Sequence, residues 1–101
     1  MENNASAKNK ELVRALVLIA GRVQGVGFRY WTRSQAEELG VVGYVKNLND
    51  GRVEACFEGE RGEVEKLLDR AKQGPTFAKV EDLEVSWGEY SGDSKDFEIQ
   101  R

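Results

Sequence analysis

The spacing of apolar residues changes several times along this chain between the period of a strand and that of a helix, and few folds accommodate that order. An apolar run rich in branched residues begins at Leu12 and predicts a first strand, central in its sheet because both of its faces are apolar. Helical spacing then extends over residues 28–39. Alternating segments at residues 41–48 and 52–58 flank the sequence NDG, which predicts a β-hairpin.

A second helix and two further strands complete the pattern. An apolar stripe at i, i+3, i+4 and i+7 that begins at Val64 predicts the helix, which ends where a glycine precedes Pro75. The alternation in LEVSWGEY, residues 83–90, predicts a fourth strand, and FEIQ, residues 97–100, predicts a short last one. The order β-α-β-β-α-β with an extra edge strand predicts an α+β fold, the ferredoxin-like split βαβ sandwich. Its two helices would lie on one face of a four- to five-stranded antiparallel sheet.

The chain of 101 residues is expected to form one domain, residues 12–101, after a flexible N-terminal tail, residues 1–11. The tail sequence MENNASAKNKE has neither a hydrophobic segment nor a periodic pattern, so it is not a secretory signal. No apolar run approaches the roughly 20 residues of a membrane-spanning helix, and no membrane partner is expected.

The composition excludes several classes of active site. The chain has no histidine, which removes imidazole bases, Ser-His and Cys-His pairs, and histidine metal ligands. Its single cysteine, Cys56, forms neither an internal disulfide nor a multi-cysteine zinc site, and we interpret it as a packing residue or a partly exposed thiol. The acidic groups are interpreted as solvated faces rather than metal ligands. The net charge of −3 argues against a nucleic-acid partner, and the lack of a disulfide favours a reducing, cytoplasmic location.

The stretch GRVQGVGFR places a glycine-rich turn between the first strand and the first helix. Arg29 and Arg33 fall early in this helix, where the dipole is already positive, whereas the second helix has acids at its start and bases at its end. A bound anion would resolve this conflict, because turn N–H groups and guanidinium groups both attract negative charge. The stretch matches neither the P-loop nor the dinucleotide-binding pattern. A tight turn with surface arginines is the alternative interpretation.

The predicted topology brings a second polar residue to this turn. In a split βαβ unit the first two strands run the same way with another strand between them, so they lie about 10 Å apart and end at the same edge of the sheet. The glycine-rich turn follows the first strand, and Asn47 ends the second. An arginine and an amide therefore converge over a gap suited to a phosphoryl group and a water. The alternative role for Asn47 is that of a turn-forming residue before NDG.

At these residues the sequence resembles the acylphosphatase family. GRVQGVGFR is similar to the phosphate-loop signature of that family, GYVKNLNDGRVE is similar to its second signature, and the resemblance extends over residues 12–101. The resemblance implies hydrolysis of acyl phosphates to a carboxylate and inorganic phosphate, with no metal or other cofactor. It implies that Arg29 binds the phosphate and that Asn47 positions the attacking water. Backbone N–H groups would complete the phosphate-binding loop, at Gln24, Gly25, Val26, Gly27 and Phe28.

The expected partners are therefore an acyl phosphate substrate and inorganic phosphate, which is both product and inhibitor, and the expected state is a monomer. Two other functions stay open at this point: a domain that binds phosphate without turnover, and a nucleic-acid module of the same fold. The motifs account for recognition of the phosphate, but they contain no residue that would distinguish one acyl group from another.

Overall fold

The computed structural model describes residues 9–101, so residues 1–8 of the predicted tail lie outside the described residues. Five strands form one sheet in the order β4-β1-β3-β2-β5, with two helices packed against it. The elements are β1 (Leu12–Arg22), α1 (Phe28–Leu39), β2 (Val42–Asn47), β3 (Val53–Glu60), α2 (Arg61–Gln73), β4 (Lys79–Gly88) and β5 (Phe97–Gln100).

Alternation in the strands and helical spacing in α1 and α2 place one apolar face of each element in a common core. Alternate residues of β1 from Val13 to Ile19 are buried, as are Phe28 and Ala36 of α1 and Leu67 of α2. Both β1 and β2 pair antiparallel with β3, which lies between them. Their C-terminal ends therefore meet at the same edge of the sheet, as the split βαβ prediction requires.

The ferredoxin-like α+β prediction is confirmed, with one difference at the last strand. β5 pairs with β2 in parallel, so the five-stranded sheet is mixed rather than purely antiparallel. The reason is the connection from β4, which starts at one edge of the sheet and ends at the other. Within this connection Ser91 donates from its N–H and its hydroxyl to the carboxylate of Glu58 on β3. Glu58 is only 2% exposed, and this contact supplies the hydrogen bonds that its buried carboxylate needs.

β4 begins at Lys79, four residues before the predicted start at Leu83. Between Ala20 and Gly21 the register of β1 against β4 shifts by one residue, which leaves Glu81 of β4 without a partner on β1, so this β-bulge interrupts the alternation of β4. Among residues 9–101, no helix is long and apolar enough to cross a bilayer.

Candidate active site

The turn between β1 and α1 has the backbone geometry of an anion cradle. Gly25 and Gly27 have positive φ angles of 73° and 76°, and no other residue type among residues 9–101 does. Residues with positive and negative φ therefore alternate in this turn, and this alternation directs successive N–H groups towards one side of the chain. A Cβ on either glycine would meet open space, so the requirement for glycine comes from the backbone conformation and not from crowding.

The start of α1 leaves backbone donors available to a ligand. Gly27 is the N-cap residue, and no side chain within the described residues caps the helix. The first backbone hydrogen bond of the helix runs from the Trp31 N–H to the Gly27 carbonyl at 3.0 Å. The N–H groups that precede Trp31 are the ones that a helix start leaves without internal partners, and they lie beside the positive end of the dipole.

Arg29 lies in the first turn of α1 and is half-buried. One of its guanidinium nitrogens, Nη1, donates to the Gln100 carbonyl of β5 at 3.3 Å, which fixes the direction of the side chain. The first turn of α1 contains no acidic residue, and none of the ion pairs found within residues 9–101 involves Arg29. The remaining guanidinium donors are therefore available for an anion.

Asn47 is the last residue of β2, opposite Val53 of β3. Its side-chain oxygen Oδ1 is buried and has no hydrogen-bond partner in the part of the chain that the structure describes. An unpaired buried acceptor costs about 1–3 kcal/mol, so such an atom is either strained or reserved for a donor that comes from outside the fold.

These groups share one small pocket of about 110 Å³. The pocket has room for a few non-hydrogen groups, since a water molecule takes about 30 Å³ of liquid. Of the sequence-predicted site residues, the pocket brings together the glycines of the loop, Phe28, Arg29 and Asn47, and it leaves Gln24 and Val26 outside its lining. The residues that line it are Val23, Gly25, Gly27, Phe28, Arg29, Tyr30 and Asn47.

Gln24 has a role that the sequence did not predict. Its side-chain Nε2 donates to the carbonyls of Leu48 at 2.8 Å and of Arg52 at 2.9 Å, which ties the glycine loop to the β2–β3 hairpin. Asp50 in turn accepts hydrogen bonds from the N–H and Nε of Arg52, and these bonds hold the pKa of the Asp50 carboxyl below its usual value. The loop and Asn47 are thus both attached to the β2–β3 hairpin. No local sequence pattern predicts this link, because it joins segments that are distant along the chain.

The residues that carry other reactive chemistry lie away from this pocket. Cys56, whose exposure the sequence left open, is buried in β3, and burial raises the pKa of its thiol. Burial, followed by the hydrogen bond to Glu54, also raises the pKa of Tyr44. Among the described residues, no group of three or more His, Cys, Asp or Glu side chains is arranged to hold a metal ion.

Comparison with known proteins shows the family. The family model described as Acylphosphatase matches residues 15–99. A protein named acylphosphatase from Chloroflexus aurantiacus is 54% identical over 89 residues, which cover 88% of this chain and 97% of that protein. One from a Roseiflexus species is 49% identical over 89 residues, with coverage of 88% and 96%. The crystal structure of acylphosphatase from Bacillus subtilis matches with a TM-score of 0.85 and 35% identity, covering 88% of this chain and 99% of the other.

Proposed function

This chain belongs to the acylphosphatase family and is a hydrolase of acyl phosphates, and we propose that its glycine loop, Arg29 and Asn47 form the active site. The observation that carries the proposal is the pocket of about 110 Å³, which is lined by the two loop glycines, by Arg29 and by Asn47, whose side-chain oxygen has no partner within residues 9–101. Each of these groups has a partner in an acyl phosphate and its attacking water.

The loop and Arg29 bind the phosphoryl group in this proposal. The N–H groups from Gln24 to Phe28 and the free donors of Arg29 surround its three non-bridging oxygens, where the charge of a phosphoryl-transfer transition state is spread. Since Arg29 is already oriented by Gln100, little conformational entropy is lost when the substrate binds. These donors are fixed before the reaction begins, which is the condition under which they stabilise a transition state most.

Asn47 positions the water. Its Oδ1 accepts a hydrogen bond from the water, which leaves a lone pair of the water oxygen directed at phosphorus. A bond forms between that oxygen and phosphorus while the bond from phosphorus to the acyl oxygen breaks. The acyl carboxylate leaves with the electron pair, and the proton lost by the water passes to phosphate or solvent. A carboxylate is a good leaving group, so positioning and charge stabilisation suffice without a strong base.

The same geometry supports a metal-independent reaction, because Arg29 and the helix start supply the positive charge that a cation supplies elsewhere. Inorganic phosphate, which carries the same three oxygens as the substrate, is a competitive inhibitor in this proposal. We also propose a cytoplasmic location, since the single cysteine suits a reducing compartment. The proposed state is a monomer.

The experiment separates the two side chains by comparing the phosphate Ki with kcat on benzoyl phosphate. Arg29→Ala and Arg29→Lys should raise the phosphate Ki and nearly abolish turnover, because lysine lacks the planar, two-pronged donor. Asn47→Ala should keep the Ki within a few-fold of the parent while kcat falls roughly 10²–10³-fold, the usual cost of one well-placed polar group.

Two matched variants serve as controls. Arg22→Ala removes an exposed arginine close to the loop, and Asn49→Ala removes an exposed asparagine two residues beyond Asn47. Both should retain parental kinetics, and circular dichroism checks that every variant is folded. Near-parental kcat in Asn47→Ala, or a loss of phosphate binding equal to that of the Arg29 variants, would contradict the water-positioning role. Binding of phosphate without turnover in the parent would favour the phosphate-binding domain instead.

A further inference from the structure

A second, larger cavity lies beside the proposed phosphate pocket. Its volume is about 580 Å³, and its lining is Arg29, Tyr30, Arg33, Ile99 and Arg101. Arg29 and Tyr30 line both cavities, so the two cavities adjoin at these residues.

The charged side chains of this cavity are all positive, whereas the whole molecule has a negative net charge. The chain has 18 acidic and 15 basic residues, yet the lining contains three arginines and no acidic side chain. None of the ion pairs within residues 9–101 includes Arg29, Arg33 or Arg101. Guanidinium groups gathered with no acidic side chain among them repel one another, and this arrangement is favourable when an anion occupies the space between them.

The remaining lining residues suit the carbon part of a ligand. The Tyr30 side chain is 62% exposed, and the Arg33 guanidinium lies 5.4 Å from the centre of its ring, within the range of a cation–π contact. This contact orients Arg33, and the exposed part of the ring together with Ile99 offers an apolar surface to an acyl chain. The cavity thus combines an apolar wall with two guanidinium groups beyond Arg29.

Resting on the proposed function, we propose that this cavity receives the acyl part of the substrate and that Arg33 and Arg101 bind a second negative charge on it. The preferred substrates are then acyl phosphates whose acyl group carries a further carboxylate or phosphate. Arginine suits this role because its planar fork binds either group with two parallel hydrogen bonds.

The test compares two substrates that differ in one charged group, 4-carboxybenzoyl phosphate and 4-methylbenzoyl phosphate. The measured quantity is the ratio of their kcat/KM values, which removes any general effect of a variant on phosphoryl transfer. The parent should favour the carboxylate substrate about tenfold, through KM, as expected for one charge-assisted contact. Arg33→Gln and Arg101→Gln should each bring the ratio towards one.

Arg22→Gln is the matched control, since it removes the same charge from an exposed position outside the cavity and should keep the parental ratio. A ratio near one in the parent, or an equal decrease in the ratio for all three variants, would overturn this inference while leaving the proposed function intact. Failure of the parent to hydrolyse either substrate would instead overturn the proposed function, and this inference with it.

Discussion

Two buried oxygens, those of Thr32 and Asn47, lack partners within residues 9–101, and their surroundings differ. Thr32 lies inside α1, where a threonine hydroxyl can turn towards the carbonyl one turn earlier. Asn47 instead lines the small pocket, and its Oδ1 ends a strand, outside any helix whose carbonyls a side chain could turn to. The unmet acceptor at Asn47 is therefore the one that points to a ligand, since local rules are broken most often at functional sites.

The thiol of Cys56 gives a prediction at the same scale. Burial raises its pKa from the ordinary value of 9.0, so the thiolate fraction at a given pH is smaller in the folded than in the unfolded chain. We expect the reaction with a disulfide reagent at pH 8 to be at least about tenfold slower than in denaturant, where the thiol is free. Because the folded state favours the protonated thiol, its contribution to stability is complete below pH 9 and is lost as the pH rises further. Equal reaction rates in the folded and unfolded chain would contradict the burial.

At the scale of elements, the sequence predicted what local periodicity encodes. The bounds of α1, Phe28–Leu39, were predicted from helical spacing and the glycine that follows, and the structure confirms them. The early start of β4 was missed, because the bulge at Gly21 breaks the period of two on which the prediction depended. A Cβ at Gly21 would collide with the carbonyl oxygen of Lys79, so the strands approach there more closely than a side chain allows.

In the candidate site, too, some features could be predicted from the sequence and others depend on tertiary contacts. The meeting of Arg29 and Asn47 at one sheet edge could be predicted, because the order of strands alone brings the ends of β1 and β2 together. The hydrogen bonds from Gln24 to the hairpin could not be predicted. Their acceptors, Leu48 and Arg52, lie 24 and 28 positions further along the chain, and the contact depends on the folded geometry of both turns. The cavity of Arg33 and Arg101 was also missed, because Arg101, which follows β5, reaches Arg33 of α1 only through tertiary packing.

The tie between the loop and the hairpin yields a prediction for Gln24→Met, which keeps the length of the side chain and removes its donors. Leu48 and Arg52 each keep a backbone hydrogen bond at their carbonyls, so the free energy of unfolding should fall by only about 1 kcal/mol. The glycine loop loses its anchor, so the phosphate Ki should rise several-fold and kcat should decrease. Urea unfolding and phosphate inhibition measure the two effects.

Gln73→Met is the control for this change, because Gln73 is exposed at the end of α2 and none of the side-chain hydrogen bonds found within residues 9–101 involves it. It should leave both the stability and the Ki at parental values. Parental phosphate affinity in Gln24→Met would show that the loop holds its cradle conformation without the hairpin.

At the scale of the whole molecule, charge is distributed unevenly. The net charge is −3, yet the two cavities near the start of α1 are lined by arginines and by no acidic side chain. Such a local field attracts small anions to one place while the rest of the surface repels a polyanion. This distribution is the physical reason to expect a small phosphorylated anion rather than a nucleic acid as the ligand.

The same distribution predicts that turnover needs no added cation. Hydrolysis of benzoyl phosphate should continue at its full rate after dialysis against excess EDTA, because Arg29 and the N–H groups of the loop carry the charge stabilisation. The initial rate with and without chelator is the measurement. Loss of activity in EDTA that magnesium or zinc restores would show that a metal ion takes part.

The final prediction links the site to the stability of the entire fold. An anion that binds only the native cradle raises the free energy of unfolding by RT ln(1 + [L]/Kd), about 2.7 kcal/mol at 100 times Kd. For a domain of this length that corresponds to a rise of roughly 10 °C or more in Tm. Phosphate and sulfate should therefore raise the Tm of the parent with a logarithmic dependence on concentration, whereas chloride at equal ionic strength should not. The shift should vanish in Arg29→Ala and persist in Asn47→Ala, because the first variant removes a ligand of the anion and the second removes only the site of the water. A Tm that phosphate leaves unchanged in the parent would place the anion site somewhere other than this loop.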